Sequence, residues 1–168
     1  MRGIFVTGTD TGVGKSVITG LLTRYLKRRG YSVITQKWVE TGSRGVSSDT
    51  SLHLKIAGIR QDETKNYFND ICPYVFKLPA SPHLAAEAED MKINISKIKK
   101  SFKRLAKDFD FVIVEGTGGT LVPINKNKLL IDIAKELNLS VLVVVRNKLG
   151  AINPVSYTHL TLPTIYSV

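Results

Sequence analysis

The segment Gly8-Thr-Asp-Thr-Gly12-Val-Gly14-Lys15-Ser16 constrains this chain more than any other feature. It follows Ile4-Phe5-Val6-Thr7, a short apolar run that reads as a buried strand. It precedes a stretch from Lys15 to Arg29 in which Ile18, Leu21, Leu22, Tyr25 and Leu26 recur at helical spacing. Lys27, Arg28 and Arg29 crowd the last turn, where cations oppose the helix dipole, and Gly30 takes the residue after the cap. Tyr31 to Gln36 reads as the next strand, so the start of the chain is a βαβ unit. A glycine-rich loop between strand and helix turns backbone N–H groups towards phosphate oxygens, and the helix N-terminus adds its positive end. Lys15 is then placed to bridge β- and γ-phosphates, and the Ser16 hydroxyl to ligate Mg²⁺. Five residues separate Gly8 from Gly14 where the strict pattern has four, so this is a variant loop.

The rest of the chain supports an open, mostly parallel α/β sheet with flanking helices, of the P-loop NTPase type. Asp49 to Ala57 reads as a short helix closed by Gly58, and Ser81-Pro82 as an N-cap and first turn of a helix running to about Glu89. Ile95, Ile98, Phe102 and Leu105 mark one apolar helical face. Phe111–Val114 and Leu139–Val145 are continuous apolar runs, expected of strands covered on both faces, with a helix from about Leu129 to Asn138 between them. The 168 residues fit one domain. No apolar run approaches the ~20 residues of a membrane span, no signal-peptide pattern opens the chain, and the expected location is the cytoplasm. One cysteine, Cys72, excludes an internal disulfide framework and a cysteine-based zinc site, and it reads as a small core residue. The net charge of +10 suits nucleic acid, an anionic membrane or a polyanionic small substrate without choosing among them. Between Met91 and Lys107 lie seven Lys/Arg and no acid, but they oppose the apolar face and read as a solvated helix surface.

In such sheets ligands gather beyond the carboxyl ends of the strands. Those ends deliver the phosphate loop, then Lys37, Glu40, Thr41 and Gly42, then Glu115 with Gly116-Thr117-Gly118-Gly119, then the segment from Asn147 to Asn153. Glu115 ends an apolar strand, where ATPases of this loop class hold a carboxylate near Mg²⁺. Asp49 reads either as a second magnesium ligand or as the N-cap of its helix. Lys37 reads either as an anion contact or as a surface lysine, and Ser81 is explained by capping alone. His53, His83 and His159 show no metal-ligand spacing and receive no catalytic role.

Taken in order, FVTGTDTGVGKS, KWVETGS, SSDTSLHL, LPASPH, VEGTGGTLVPI and KLGAIN resemble the dethiobiotin synthetase family across residues 4–153. That family's loop carries one extra residue, as here. The resemblance implies an ATP-dependent ligase that carboxylates 7,8-diaminopelargonate with CO₂ and closes a ureido ring through a carbamate and a carbamic–phosphoric anhydride. It implies that Gly12, Val13, Gly14, Lys15, Ser16 and Val17 hold ATP phosphates, with Asp49, Glu115, Gly116, Thr117 and Gly118 completing the nucleotide side. Ser16, Asp49 and Glu115 would surround Mg²⁺, and Lys37 with Lys15 would stabilise the carbamate as catalytic residues. Thr11, Thr41, Ser81, Lys148, Leu149, Gly150 and Asn153 would contact the diamine, the last four at a homodimer interface. Neither nucleic acid nor membrane is an implied partner.

Two departures from the family pattern stand out. Trp38 replaces the proline common after the family lysine. Residues 154–168 carry no Lys, Arg, Asp or Glu and depart from the family, so the expectation is an incomplete domain over 1–153 and a tail of doubtful origin. Two other readings compete: an inactive fragment of the synthetase, and a partition or septum-site ATPase switch binding DNA or membrane. The switch ATPases place a lysine five residues before the loop lysine, where this chain has Asp10.

Overall fold

The computed structural model describes residues 2–147. The expected substrate contacts Lys148, Leu149, Gly150 and Asn153, and the 154–168 tail, lie outside the described residues. In chain order the elements begin β1 (Arg2–Gly8), α1 (Lys15–Arg28), β2 (Val33–Lys37), β3 (Val39–Thr41) and α2 (Ser48–Ala57). A 3₁₀ helix (Gln61–Tyr67), α3 (Phe68–Ile71), β4 (Tyr74–Phe76), α4 (Pro82–Ala88) and α5 (Ile95–Asp108) follow. The series closes with β5 (Phe111–Gly119), β6 (Pro123–Asn125), β7 (Lys128–Leu129), α6 (Leu130–Glu136) and β8 (Ser140–Val144).

The apolar runs pair as a parallel sheet in the order β2-β5-β1-β8, the open α/β architecture expected from the sequence. Pleating divides each strand between two faces. Phe5, Ile34, Val112 and Val114 face a core filled by Ile98, Phe102 and Leu105 of α5 and Ile133 of α6. Val6, Val33, Ile113 and Val144 face the other way, towards Leu22 and Leu26 of α1. The α5 stripe is buried as its periodicity predicts, with Ile98, Phe102 and Leu105 all at 0 % exposure. Asn94 caps this helix, its side-chain oxygen accepting from the Ser96 and Lys97 amides at 2.9 and 3.3 Å.

The α1 stripe behaves differently. Only Leu22 and Leu26 reach the sheet, whereas Ile18, Leu21 and Tyr25 are exposed, and the buried positions are Thr19, Gly20 and Thr23. The cause is α2, which packs on α1 at Gly20; a Cβ there would stand 2.8 Å from Ile56 Cβ. Periodicity marks an apolar face but does not say which neighbour claims it. A second difference lies at β8, expected to be covered on both faces. It ends the described sheet, and Leu142 is 37 % exposed. Short pieces that periodicity cannot detect complete the frame: β3 pairs in parallel with β4, and β6 with β7 in antiparallel fashion. No helix among the described residues is long and apolar enough to cross a membrane.

Register is what builds the site. Lys37, the last residue of β2, lies opposite Glu115 of β5, and Glu115 lies opposite Val6 of β1, two residues before the phosphate loop begins. Trp38 fixes the step from β2 to β3. It is 1 % exposed, stacks on Phe5 with ring centroids 5.2 Å apart, and donates its indole N–H to Gln36 Oε1 at 2.9 Å. A buried aromatic therefore does here what a rigid proline would do by fixing the backbone.

Candidate active site

The phosphate loop wraps between β1 and α1 with positive φ at Gly12 (69°) and Gly14 (103°), conformations that side chains with a Cβ rarely adopt. The first amides of α1 have no intrahelical acceptors and face the loop. Lys15 is buried, and its ammonium donates to the Asp10 carbonyl at 2.9 Å, lying back along its own loop. Burial lowers its pKa; the charges of Glu115 and Asp49 only partly offset that and the Lys37 charge adds to it.

Across the cavity stands a cluster drawn from β2, β3, α2 and β5. The Ser16 hydroxyl lies 3.0 Å from Asp49 Oδ1 and 3.1 Å from Glu115 Oε1. Lys37 Nζ contacts Asp49 Oδ2 directly, with Glu115 Oε1 at 3.4 Å and Glu40 Oε2 at 3.6 Å. Burial by itself would lower the Lys37 pKa, but Glu115, Asp49 and Glu40 together raise it. The same exchange acts on Asp49: burial pushes its carboxyl up, and the charge and hydrogen bond of Lys37, with the Ser16 hydroxyl, bring it below its ordinary value. Lys37 is thus no surface lysine, being 5 % exposed. Asp49 is not the N-cap of α2 either. Ser47 is, accepting from the Thr50 amide at 3.1 Å, which leaves the Asp49 carboxylate free to face Ser16 and Lys37.

A cavity of about 390 Å³ opens between the two halves. Of the sequence-predicted residues, Thr11, Gly12, Gly14, Lys15, Ser16, Val17, Lys37, Thr41, Asp49, Glu115, Thr117 and Gly118 line it. Three described ones do not. Val13 packs towards the sheet beside Val6 and Ile113. Gly116 is buried against β1, where a Cβ would meet Phe5 Cζ at 2.8 Å. Ser81 sits at the start of α4 in the capping position, but its hydroxyl makes no capping hydrogen bond and lies 3.2 Å from His83 Nδ1. Cys72 is half-buried and donates to the Tyr74 carbonyl, and burial pushes its thiol up to about 12, the state of an inert packing group.

Two residues of the cluster carry no role from sequence. His53 is fully buried, with Nε2 2.5 Å from Glu115 Oε2 and Nδ1 unpartnered among the described residues. That arrangement favours the tautomer with the proton on Nε2, donating to the carboxylate, because an orphaned acceptor costs less than an orphaned donor. The signal was its spacing: His53 follows Asp49 by four residues, which puts both on one face of α2. Glu40, 3 % exposed, is held by serine hydroxyls from the loop that follows it.

The arrangement can bind a polyphosphate along the loop, hold a hard cation on Ser16, Asp49 and Glu115, and present a second ammonium to an anion in the same cavity. Comparison with known proteins points the same way. An AAA domain family model matches residues 2–162. The ATP-dependent dethiobiotin synthetase BioD of Chlorobaculum tepidum is 43 % identical over 148 residues, 88 % of this chain and 62 % of that relative. BioD 2 of Haemophilus influenzae, also named an ATP-dependent dethiobiotin synthetase, is 42 % identical over 89 % of this chain and 78 % of that relative. BioD of Methanococcus vannielii is 42 % identical over 95 % and 70 %. The chain therefore spans about two thirds to three quarters of the length of these relatives. The crystal structure of the signal recognition particle receptor FtsY from Elizabethkingia anophelis superposes with a TM-score of 0.50 at 19 % identity, covering 97 % of this chain and 48 % of that one. That likeness concerns the fold alone.

Proposed function

The chain belongs to the dethiobiotin synthetase family, and on that footing we propose that it catalyses the ATP-dependent carboxylation and ring closure of 7,8-diaminopelargonate with CO₂ to give dethiobiotin. One observation carries this reading: two ammonium groups and the Ser16–Asp49–Glu115 donor set converge on a single cavity. The donors fit magnesium, which takes hard oxygen ligands and is commonly held by one or two carboxylates together with substrate phosphates. Ser16, Asp49 and Glu115 would hold the ion, and it would supply neutralisation of charge on the γ-phosphate.

The remaining work belongs to the chain's own groups. Loop amides and Lys15 hold the phosphates, Lys15 turning from the Asp10 carbonyl to a phosphate oxygen. One substrate amine adds to CO₂ and loses a proton, giving a carbamate whose negative oxygens sit against Lys37. A carbamate oxygen attacks the γ-phosphorus and ADP leaves. The second amine attacks the carbamate carbon, phosphate departs with that oxygen, and a proton is lost as the ring closes. The nucleophile is the substrate's own carbamate, so no protein nucleophile is needed, and the rate comes from positioning and charge. Thr11 and Thr41 supply hydroxyls to the diamine within the cavity, Ser81 contacts it only where it extends beyond that lining, and Lys148, Leu149, Gly150 and Asn153 complete its site across a homodimer in the cytoplasm. Gly116 serves the nucleotide side indirectly, by letting β5 lie close to Phe5 beneath the cavity.

The test is incubation of the full chain with ATP, Mg²⁺, bicarbonate and 7,8-diaminopelargonate, with product identified by mass. Dethiobiotin formed with one ADP per ring is the expected result. ATP consumption that ignores the diamine would overturn the assignment.

A further inference from the structure

We propose that Glu40 is a positioning residue for this reaction, acting through Lys37. The inference rests on the function proposed above. Lys37 faces three carboxylates, and they are not equivalent. Asp49 and Glu115 both reach Ser16, so they belong to the phosphate and cation side of the cavity. Glu40 shares nothing with Ser16. Its other side-chain partners among the described residues are three serines, with Ser43 and Ser48 donating to Oε1 at 3.1 and 2.9 Å and Ser47 donating to Oε2 at 2.8 Å. A carboxylate offers about four lone-pair sites, three of which accept from these hydroxyls, and the Lys37 ammonium stands 3.6 Å from Oε2 as an ion pair. Glu40 is therefore engaged by the serines and by the charge of Lys37.

The same contacts give it a mechanical role. Ser47 is also the N-cap of α2, so one hydroxyl group joins Glu40 on β3 to the start of the helix that carries Asp49 and His53. Glu40 and Lys37 are both nearly dry, with side chains 4 % and 6 % exposed, so their attraction is little screened by water. While Asp49 and Glu115 serve a cation, Glu40 remains the dedicated anion of Lys37 and holds its ammonium at the edge of the cavity. Nothing in the sequence marked this residue beyond its place after β2.

The experiment is a double-mutant cycle on the full chain with Glu40→Gln, Lys37→Gln and the pair. Glu40→Gln is expected to lower kcat/KM for 7,8-diaminopelargonate between ~10- and ~100-fold, the scale of a displaced catalytic group, while KM for ATP stays within about twofold. In the Lys37→Gln background the same change is expected to cost little more. An equal fold-loss in both backgrounds, or a matching rise in KM for ATP, would overturn the proposal. Thermal midpoints supply a readout that needs no turnover: Glu40→Gln should lower the midpoint by several degrees in wild type and by clearly less when Lys37 is already Gln. Equal drops would overturn it even for a chain with no synthetase activity, whereas wild type without diamine-dependent turnover refutes only the function proposed above.

Discussion

One wall of the cavity comes from a single stretch of nine residues; the other comes from four separate elements, and each wall carries a lysine. On the loop wall Lys15 leans on a backbone carbonyl, and burial lowers its pKa. On the cluster wall Lys37 sits among Glu115, Asp49 and Glu40, which raise its pKa despite deeper burial. The two ammonium groups share a cavity but not a job. Lys15 is held by its own loop through a hydrogen bond to the Asp10 carbonyl, a neutral partner five residues away. Lys37 is held by long-range contacts that depend on strand register and on the start of α2. The loop wall is thus specified locally, and the cluster wall only by the folded sheet.

Mutations can break this comparison in order of size. Lys15→Ala should cost about 3 kcal/mol or more of transition-state stabilisation, the scale of losing a principal electrostatic donor, and should impair kcat/KM for ATP. Near-normal turnover would remove the loop wall from the account. Lys37→Gln should lower diamine-dependent turnover about 100-fold while ATP affinity, read by calorimetry, changes little; parallel losses in both would merge the two walls into one. His53→Leu acts behind the cluster wall. It leaves a buried oxygen of Glu115 without its donor and should destabilise the protein by about 1–3 kcal/mol in a urea titration, an effect that exchange of the exposed Tyr25 for another residue should not produce.

The smallest effect is a pH dependence. Asp49 lies below its ordinary 3.8 in the folded state, so its contribution is complete above that value and is lost as pH falls through the lowered one. Lys37 lies above its ordinary 10.5, so its contribution is complete below that value and is lost as pH rises through the raised one. Asp49→Asn should therefore flatten the acid limb of a stability-against-pH curve, and Lys37→Gln both limbs, because Lys37 is the main cause of the Asp49 shift. An acid limb unchanged from wild type in Lys37→Gln would show that the pair is not the source.

The contrast between the walls also explains what the sequence could disclose. The loop was legible because its glycines, lysine and serine are contiguous and lie between a strand and a helix. The lysine–carboxylate site was half legible: Lys37 and Glu115 could be placed at strand ends, but Asp49 was ambiguous until Ser47 took the capping position. Glu40 was legible only as a strand-end residue, and its role and that of His53 stayed hidden because their partners come through the three-residue strand β3, serine hydroxyls and a buried contact to β5. Packing shows the same limit. The α5 stripe turned inward onto a core shared with the sheet, α3 and α6, whereas α1 buries Gly20 and two threonines where α2 lies against it.

The central claim is that the substrate's own carbamate is the nucleophile, steadied by Lys37 and delivered to a phosphate held by the loop. Running the reaction briefly with ¹⁸O-labelled CO₂ and reading the released phosphate by mass tests it directly. The account predicts one labelled oxygen in each phosphate, carried from the carbamate when the ring closes. Phosphate that takes its new oxygen from water instead would contradict it.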